Sequence, residues 1–320
     1  MIAIKMVDDI TVRNAVANDM DLVFDAVKDA FGTVIKNQAC HPIKTKIFRP
    51  SLNPLLDDWI FAMPAYLIGT ENIAGIKWAS RCPGASAGQC HILLILNETV
   101  SNKPIAIMDG MYISLLRTFA ITKLSIDILN LKPETVSIIG MGNLGKMHAV
   151  KLKELYPSIK KIKCFSYNAK YTYLADEKII ECDNIQQALD STEIVVTCGQ
   201  KHPPYITKDM ISIETKLLVN LSLFDFDKTT FKKSDVILVD DINAVKVSST
   251  PLGELIRNEE INENKIKLIG EYLTYNIPIQ KVTNFVLVNT LGMVAQDLVL
   301  ANRILKRLET HQTTDKFDII

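Results

Sequence analysis

Gly140-Met141-Gly142-Asn143-Leu144-Gly145, entered from the apolar run Val136-Ser137-Ile138-Ile139, decides how the chain is read. A short β-branched strand that runs into glycines and then a helix is the glycine fingerprint of a dinucleotide pyrophosphate site. Gly140 makes the tight turn, Gly142 lets the pyrophosphate approach the backbone, and Gly145 lets helix and strand pack closely. The helix expected over residues 143–155 aims free N–H groups and its positive dipole end at the phosphates, so Asn143 and Leu144 join the glycines as cofactor contacts. Another glycine-rich turn in an α/β domain is the bland alternative, and the strand before and helix after it argue against that.

The composition suits a two-domain enzyme. The chain has 320 residues, with 36 Lys plus Arg against 36 Asp plus Glu. This balance gives no pull toward nucleic acid or an anionic membrane. No stretch is apolar for the length of a span, and the first residues do not read as a secretion signal, so the expected location is the cytoplasm. Six cysteines without a C-x-x-C pair read as free thiols, and the five histidines show no metal-ligand spacing, so no metal is expected.

Outward from the fingerprint, Leu22, Val23, Ala26, Val27, Ala30 and Phe31 mark one face of a helix that starts near Asn18 and Asp19. Strand-like runs follow at 59–68, 72–80, 90–96 and 105–108, with connections short enough for antiparallel pairing. A long helix over 113–131 leads into the fingerprint strand. Beyond it, strand signals at 162–165, 193–197, 216–223 and 236–239 alternate with helical segments, which calls for a parallel sheet with right-handed crossovers. The segment 291–308 is again helical, and 310–318 is polar and expected to fray. The fold class is therefore α/β: a Rossmann-type doubly wound parallel sheet over 119–290, plus an α+β domain for substrate binding and dimerisation built from 1–118 and 291–320. The open edges and face of the small first sheet point to a homodimer.

At the end of the second dinucleotide-domain strand, the acid that usually holds the ribose 2′-hydroxyl of NAD is absent from Cys164-Phe165-Ser166-Tyr167-Asn168-Ala169-Lys170. Ser166 is the best-placed side chain, with Lys170 near enough for a 2′-phosphate. The cofactor is NAD or NADP, with these residues leaning toward NADP, although Ser also serves a 2′-hydroxyl. In the first half, Lys77 and Arg117 lie in otherwise apolar runs and are costly to bury unpaired. A substrate carboxylate would satisfy them; so would an internal salt bridge to Asp109 or another acid.

Taken together, Met63-Pro64-Ala65-Tyr66, Gly75-Ile76-Lys77-Trp78, Asp109 followed by Arg117-Thr118, the stretch from Gly140 to Gly145, and Gly292 with Asp297 resemble the ornithine cyclodeaminase and mu-crystallin family of NAD(P)-dependent amino-acid and imino-acid enzymes. With Val239-Asp240-Asp241 they are most similar to its siderophore-pathway dehydrogenase branch. The resemblance implies that Arg49, Lys77 and Arg117 bind the substrate carboxylate, with Lys46 or Arg81 as alternatives to Arg49. It also implies that Asp225, or nearby Asp227, is the acid–base group, with Lys77 acting at the imine. Thr118, Thr197 and Ser222 are added to the cofactor contacts.

The implied chemistry is hydride transfer between the α-carbon of a small amino or imino acid and the nicotinamide, through a C=N bond beside a carboxylate. Capture of the imine by an internal amine gives cyclodeamination, and water or external hydride gives net oxidation or reduction. The residues after Lys77 lack the Asn that cyclodeaminases carry just beyond Pro83, and Asp109-Gly110-Met111-Tyr112 is bulkier than in them. Both departures point to an oxidoreductase, with an ammonia-lyase and a non-catalytic crystallin-like protein as alternatives.

Overall fold

The computed structural model describes residues 2–48, 59–69, 71–82, 89–167, 176–199, 203–280, 282–310 and 315–319. The chain divides into two compact units, residues 1–120 with 293–320 and residues 121–292.

The first unit is built on an eight-stranded mixed sheet. Its strands are β1 (Ile2–Val7), β2 (Ala39–Cys40), β3 (Thr45–Phe48), β4 (Trp59–Leu67), β5 (Ile73–Cys82), β6 (Gln89–Glu98), β7 (Pro104–Asp109) and, from the end of the chain, β16 (Asp315–Ile319). They run in the order β16-β1-β7-β6-β5-β4-β2, with β3 paired on β4. The β4–β7 meander is antiparallel, as short connections require, while β1 joins β7 in parallel. Helices α1 (Asp9–Val16), α2 (Met20–Ile35) and α10 (Val294–Thr310) belong to the same unit. Asp19 caps α2 by accepting from Leu22 N–H at 3.0 Å. The expectation of a frayed end over 310–318 is corrected for residues 315–318, where β16 pairs antiparallel with β1; residues 311–314 lie outside the described residues.

Helix α3 (Met111–Ile128) leads into the second unit, whose sheet is parallel throughout. Its strands β8 (Thr135–Ile139), β9 (Lys161–Phe165), β10 (Ile179–Glu181), β11 (Ile194–Thr197), β12 (Leu217–Asn220), β13 (Val236–Val239), β14 (Ile266–Leu268) and β15 (Val286–Val288) lie in the order β10-β9-β8-β11-β12-β15-β13-β14. The chain order reverses between β8 and β11, the switch point at which doubly wound sheets open a ligand crevice. Helices α4 (Asn143–Leu155), α5 (Ile185–Leu189), α6 (Lys228–Lys233), α7 (Ile242–Val247), α8 (Pro251–Arg257) and α9 (Ile269–Tyr275) join the strands. The strand residues are almost all fully buried, for example Ile194, Val195 and Val196 on β11 and Leu217, Leu218 and Val219 on β12. Strands covered on both faces read as continuous apolar runs for this reason. β12 ends at Asn220, three residues short of the apolar run, because Leu223 takes φ +72 and turns the chain.

Candidate active site

In the second unit, the turn from β8 into α4 is made by three glycines, two of which leave no room for a side chain. Gly140 has φ +98, and a Cβ there would lie 2.6 Å from Gly199 N and 2.7 Å from the Cys198 carbonyl carbon. A Cβ on Gly145 would come 2.0 Å from the Gly140 carbonyl oxygen, so strand and helix are in direct backbone contact. Gly142 is different: a Cβ there would meet nothing within 4 Å. It is the N-cap of α4, makes no side-chain cap, and with Asn143 is exposed. The first turn of a thirteen-residue helix thus offers its N–H groups to an anion beside an open space where a side chain would stand. Leu144 is partly buried behind it. These residues fit the pyrophosphate of a dinucleotide. Ser166 follows β9 and is partly exposed, and the Tyr167 ring meets the rings of Phe165 and Tyr205 edge-on at 4.8 and 5.6 Å. Lys170 lies outside the described residues.

At the carboxyl ends of β11 and β12, Thr197 Oγ1 donates to Asn220 Oδ1 at 3.1 Å and lies 3.2 Å from Ser222 Oγ. Asn220 in turn donates to Asn289 Oδ1 at 2.7 Å, and the Ser222 hydroxyl donates to Asp225 Oδ2. Asp225 is fully buried, and its Oδ1 has no hydrogen bond. Burial raises its pKa above the usual carboxylate range, and the nearby Ser222, Tyr205 and Thr197 hydroxyls and Gly199 N–H oppose the rise. Asp227 does other work. It caps α6, accepting from Thr230 N–H at 3.0 Å and from Thr229 Oγ1 at 2.8 Å. Of the two acids, Asp225 alone is held in a polar cluster at the sheet's carboxyl edge.

In the first unit, Lys77 projects from β5 toward α10 and α3. Its Nζ donates to Asp297 Oδ1 at 2.6 Å and to Ser114 Oγ at 2.8 Å. Arg117 Nε stands 3.5 Å from Asp297 Oδ2 without hydrogen-bond alignment, and its Nη2 reaches Ser114 Oγ at 3.4 Å. Lys77 is 4% exposed and Asp297 fully buried. Desolvation by burial, with the Arg117 charge adding to it and Asp297 opposing, brings the Lys77 ammonium down to about 8. Asp109 is not the counterion considered for these cations; its Oδ1 accepts from Met111 N–H at 2.8 Å in its own turn. Thr118 spends its hydroxyl on the Ser114 carbonyl at 2.7 Å. Arg49 lies outside the described residues, and Lys46, its alternative, stands exposed on β3 with its Nζ 5.3 Å from the Phe61 ring centroid.

Sequence reading brought out Lys77, Arg117 and Asp225 but missed Ser114, Asn220, Asn289 and the pairing role of Asp297. The signal for Asp297 was present, since it is a carboxylate in an otherwise buried helix face with Val294, Leu298 and Ala301. Near β15, the Asp240 carboxylate accepts from Leu291 N–H at 3.0 Å and Gly292 N–H at 2.6 Å, and Asp241 caps α7. Among the described residues no group of three or more His, Cys, Asp or Glu could hold a metal ion.

Comparison with known proteins agrees with this architecture. The chain is similar to the N-((2S)-2-amino-2-carboxyethyl)-L-glutamate dehydrogenase of Staphylococcus aureus, 25% identical over 307 residues and 90% of each chain. Its fold superimposes on the crystal structure of CmnK with a TM-score of 0.90 at 21% identity, covering 100% of this chain and 99% of that one. It also superimposes on the Thermococcus litoralis Δ1-pyrroline-2-carboxylate reductase solved with NADH and L-proline, with a TM-score of 0.82 at 19% identity over 98% and 99% of the chains. The profile of the ornithine cyclodeaminase/mu-crystallin family matches residues 4–312, nearly the whole of both units, and the protein belongs to that family.

Proposed function

We propose that the protein is an NAD(P)-dependent oxidoreductase acting on the C–N bond of an amino acid, an N-substituted amino acid or an imino acid, by hydride transfer at the α-carbon. The observation that carries this reading is the charge of the Lys77, Arg117 and Asp297 cluster. Two cations face one buried carboxylate, and Arg117 Nε and Asp297 Oδ2 remain without hydrogen bonds. One further carboxylate, that of a substrate, would balance the charge and occupy the free Arg117 donors. The Staphylococcus aureus relative, a dehydrogenase of an N-substituted amino acid, supports this substrate class.

In this reading the two units divide the work. Gly140, Gly142, Asn143, Leu144 and Gly145 hold the dinucleotide pyrophosphate, Ser166 its ribose, and Thr118, Thr197 and Ser222 complete the cofactor contacts. The dinucleotide, when bound, supplies or accepts the hydride. Arg117 orients the substrate carboxylate, with Arg49 as its partner. Lys77, brought to about 8 by burial, can hold or release a proton next to the substrate nitrogen at working pH. Asp225, raised by its burial, moves protons to and from nitrogen or water. The cofactor is NAD or NADP, with NADP favoured by the missing acid after β9, although Ser166 could also serve a 2′-hydroxyl.

The same reading takes the protein as a cytoplasmic homodimer. Met6 on β1, Leu93 on β6 and Trp78 on β5 are 46%, 47% and 41% exposed in the first sheet, with Trp78 directly opposite Leu93. A second copy across a twofold axis would cover this apolar face. Trp78→Asp should then leave a monomer in sedimentation velocity.

The test of function follows the near-ultraviolet absorbance of NADH and NADPH separately, with cyclic ketimines and with 2-keto acids mixed with amino acids. Loss of absorbance with one cofactor supports reductase chemistry and identifies the cofactor. Ammonia released from ornithine with no net change in reduced cofactor would replace the proposal with a cyclodeaminase.

A further inference from the structure

His148 is fully buried on the second turn of α4, and both ring nitrogens are engaged inside the second unit. Its Nδ1 lies 2.8 Å from the Leu144 carbonyl oxygen, and its Nε2 lies 2.9 Å from Thr122 Oγ1. A carbonyl oxygen only accepts, so Nδ1–H is the donor there. Nε2 is then the acceptor, and the Thr122 hydroxyl must donate to it. Burial lowers the His148 pKa to about 4, which keeps the ring neutral and this pattern intact through neutral pH.

Thr122 departs from the habit of its own helix. Along α3, Thr118 returns its hydroxyl to the Ser114 carbonyl and Ser125 to that of Ile121, each at 2.7 Å. Such return to the preceding turn is the usual fate of a helical hydroxyl. Thr122, between them, gives its proton to another helix instead. The receiving ring also bonds to Leu144, within the turn whose N–H groups carry no cap. An apolar side chain would fill this buried space without the desolvation of an imidazole.

We propose that His148 and Thr122 are positioning residues for the dinucleotide: the bond between them fixes the first turn of α4 against α3, so that the N–H groups of residues 143–145 are held in register for the pyrophosphate. This inference rests on the dinucleotide reading given above. Neither residue touches the ligand in this scheme; both act through the backbone of the turn.

The experiment measures dissociation constants for NADH, ADP-ribose and adenosine by titration on wild type, Thr122→Val, Thr122→Ser and His148→Leu, with urea unfolding of each. Thr122→Val keeps the shape and removes the hydroxyl, and Thr122→Ser keeps the hydroxyl. Removing a buried hydrogen bond that aligns several N–H donors should weaken the two pyrophosphate ligands about tenfold in Thr122→Val and His148→Leu. Adenosine binding should be unchanged, and Thr122→Ser should stay within about twofold of wild type. Equal affinities for NADH in wild type and Thr122→Val would overturn the tether. So would equal losses for adenosine and ADP-ribose, which would mark a general loosening. If wild type binds none of NADH, NADPH and ADP-ribose, the reading beneath it fails instead. Should His148→Leu not fold, the Thr122 pair decides alone.

Discussion

Asp297 Oδ1 sits 2.6 Å from Lys77 Nζ across 220 residues of sequence, and the pair is sealed from solvent within the first unit. Removing one partner of such a pair leaves an uncompensated buried charge, which costs about 3 to 5 kcal/mol. Asp297→Ala should therefore lower the unfolding free energy by an amount of that order, read from urea titrations. The double variant Asp297→Ala with Lys77→Met should recover a substantial part of the loss. A loss no smaller in the double variant would show that the pair is not coupled.

The Lys77 ammonium also writes a pH signature. Its folded value is about 8 against 10.5 unperturbed, so the unfolded chain binds this proton more tightly than the fold does. Below about 8 both states are protonated and the fold bears the full cost of the buried charge. Between that value and 10.5 the unfolded chain holds more protons, so stability contributed by this site rises with pH. Wild type should gain about 2 kcal/mol relative to Lys77→Met between pH ~7 and pH ~10, read from paired urea titrations.

The glycines of the turn should separate folding from binding. Gly145→Ala places a methyl carbon 2.0 Å from a backbone oxygen and should destabilise the second unit by several kcal/mol or prevent folding. Gly142→Ala meets no protein atom and has an ordinary φ of −71, so stability should change by less than about 1 kcal/mol. Its methyl group enters the space assigned to the pyrophosphate, and NADH affinity should fall at least about tenfold by fluorescence titration. Unchanged affinity would move the phosphate site elsewhere.

The two acids after β12 predict opposite phenotypes. Asp225→Asn should abolish turnover while NADH still binds. Asp227→Ala should keep turnover and lose about 1 kcal/mol of stability with its helix cap. Turnover in Asp225→Asn comparable to wild type would remove the acid–base role from that residue.

The helix over 143–155 and the strand over 236–239 could be read to the residue, because glycines, apolar runs and flanking turns all agree there. The β4–β7 meander was equally plain from its short connections. What escaped depends on distant partners. β1 is a short strand held between β7 and β16, β16 is an edge strand paired on β1 alone, and polar Asp315-Lys316-Phe317-Asp318-Ile319 carries no strand signal of its own. The site shows the same division. Lys77 and Arg117 announced themselves as charges in apolar runs, but their counterion could be named only when α10 was placed beside β5. The nearer acid, Asp109, was already committed to its own backbone.

The make-up of the first unit from both ends of the chain sets an order of events during synthesis. Residues 121–292 contain every strand of the parallel sheet and can close their core while α10 is still in the ribosome. Lys77 and Arg117 emerge early but must wait for Asp297, so the first unit carries two unmatched cations until α10 has been made. A nascent chain stopped before residue 294 would hold a completed parallel sheet and a first unit whose two cations have no counterion.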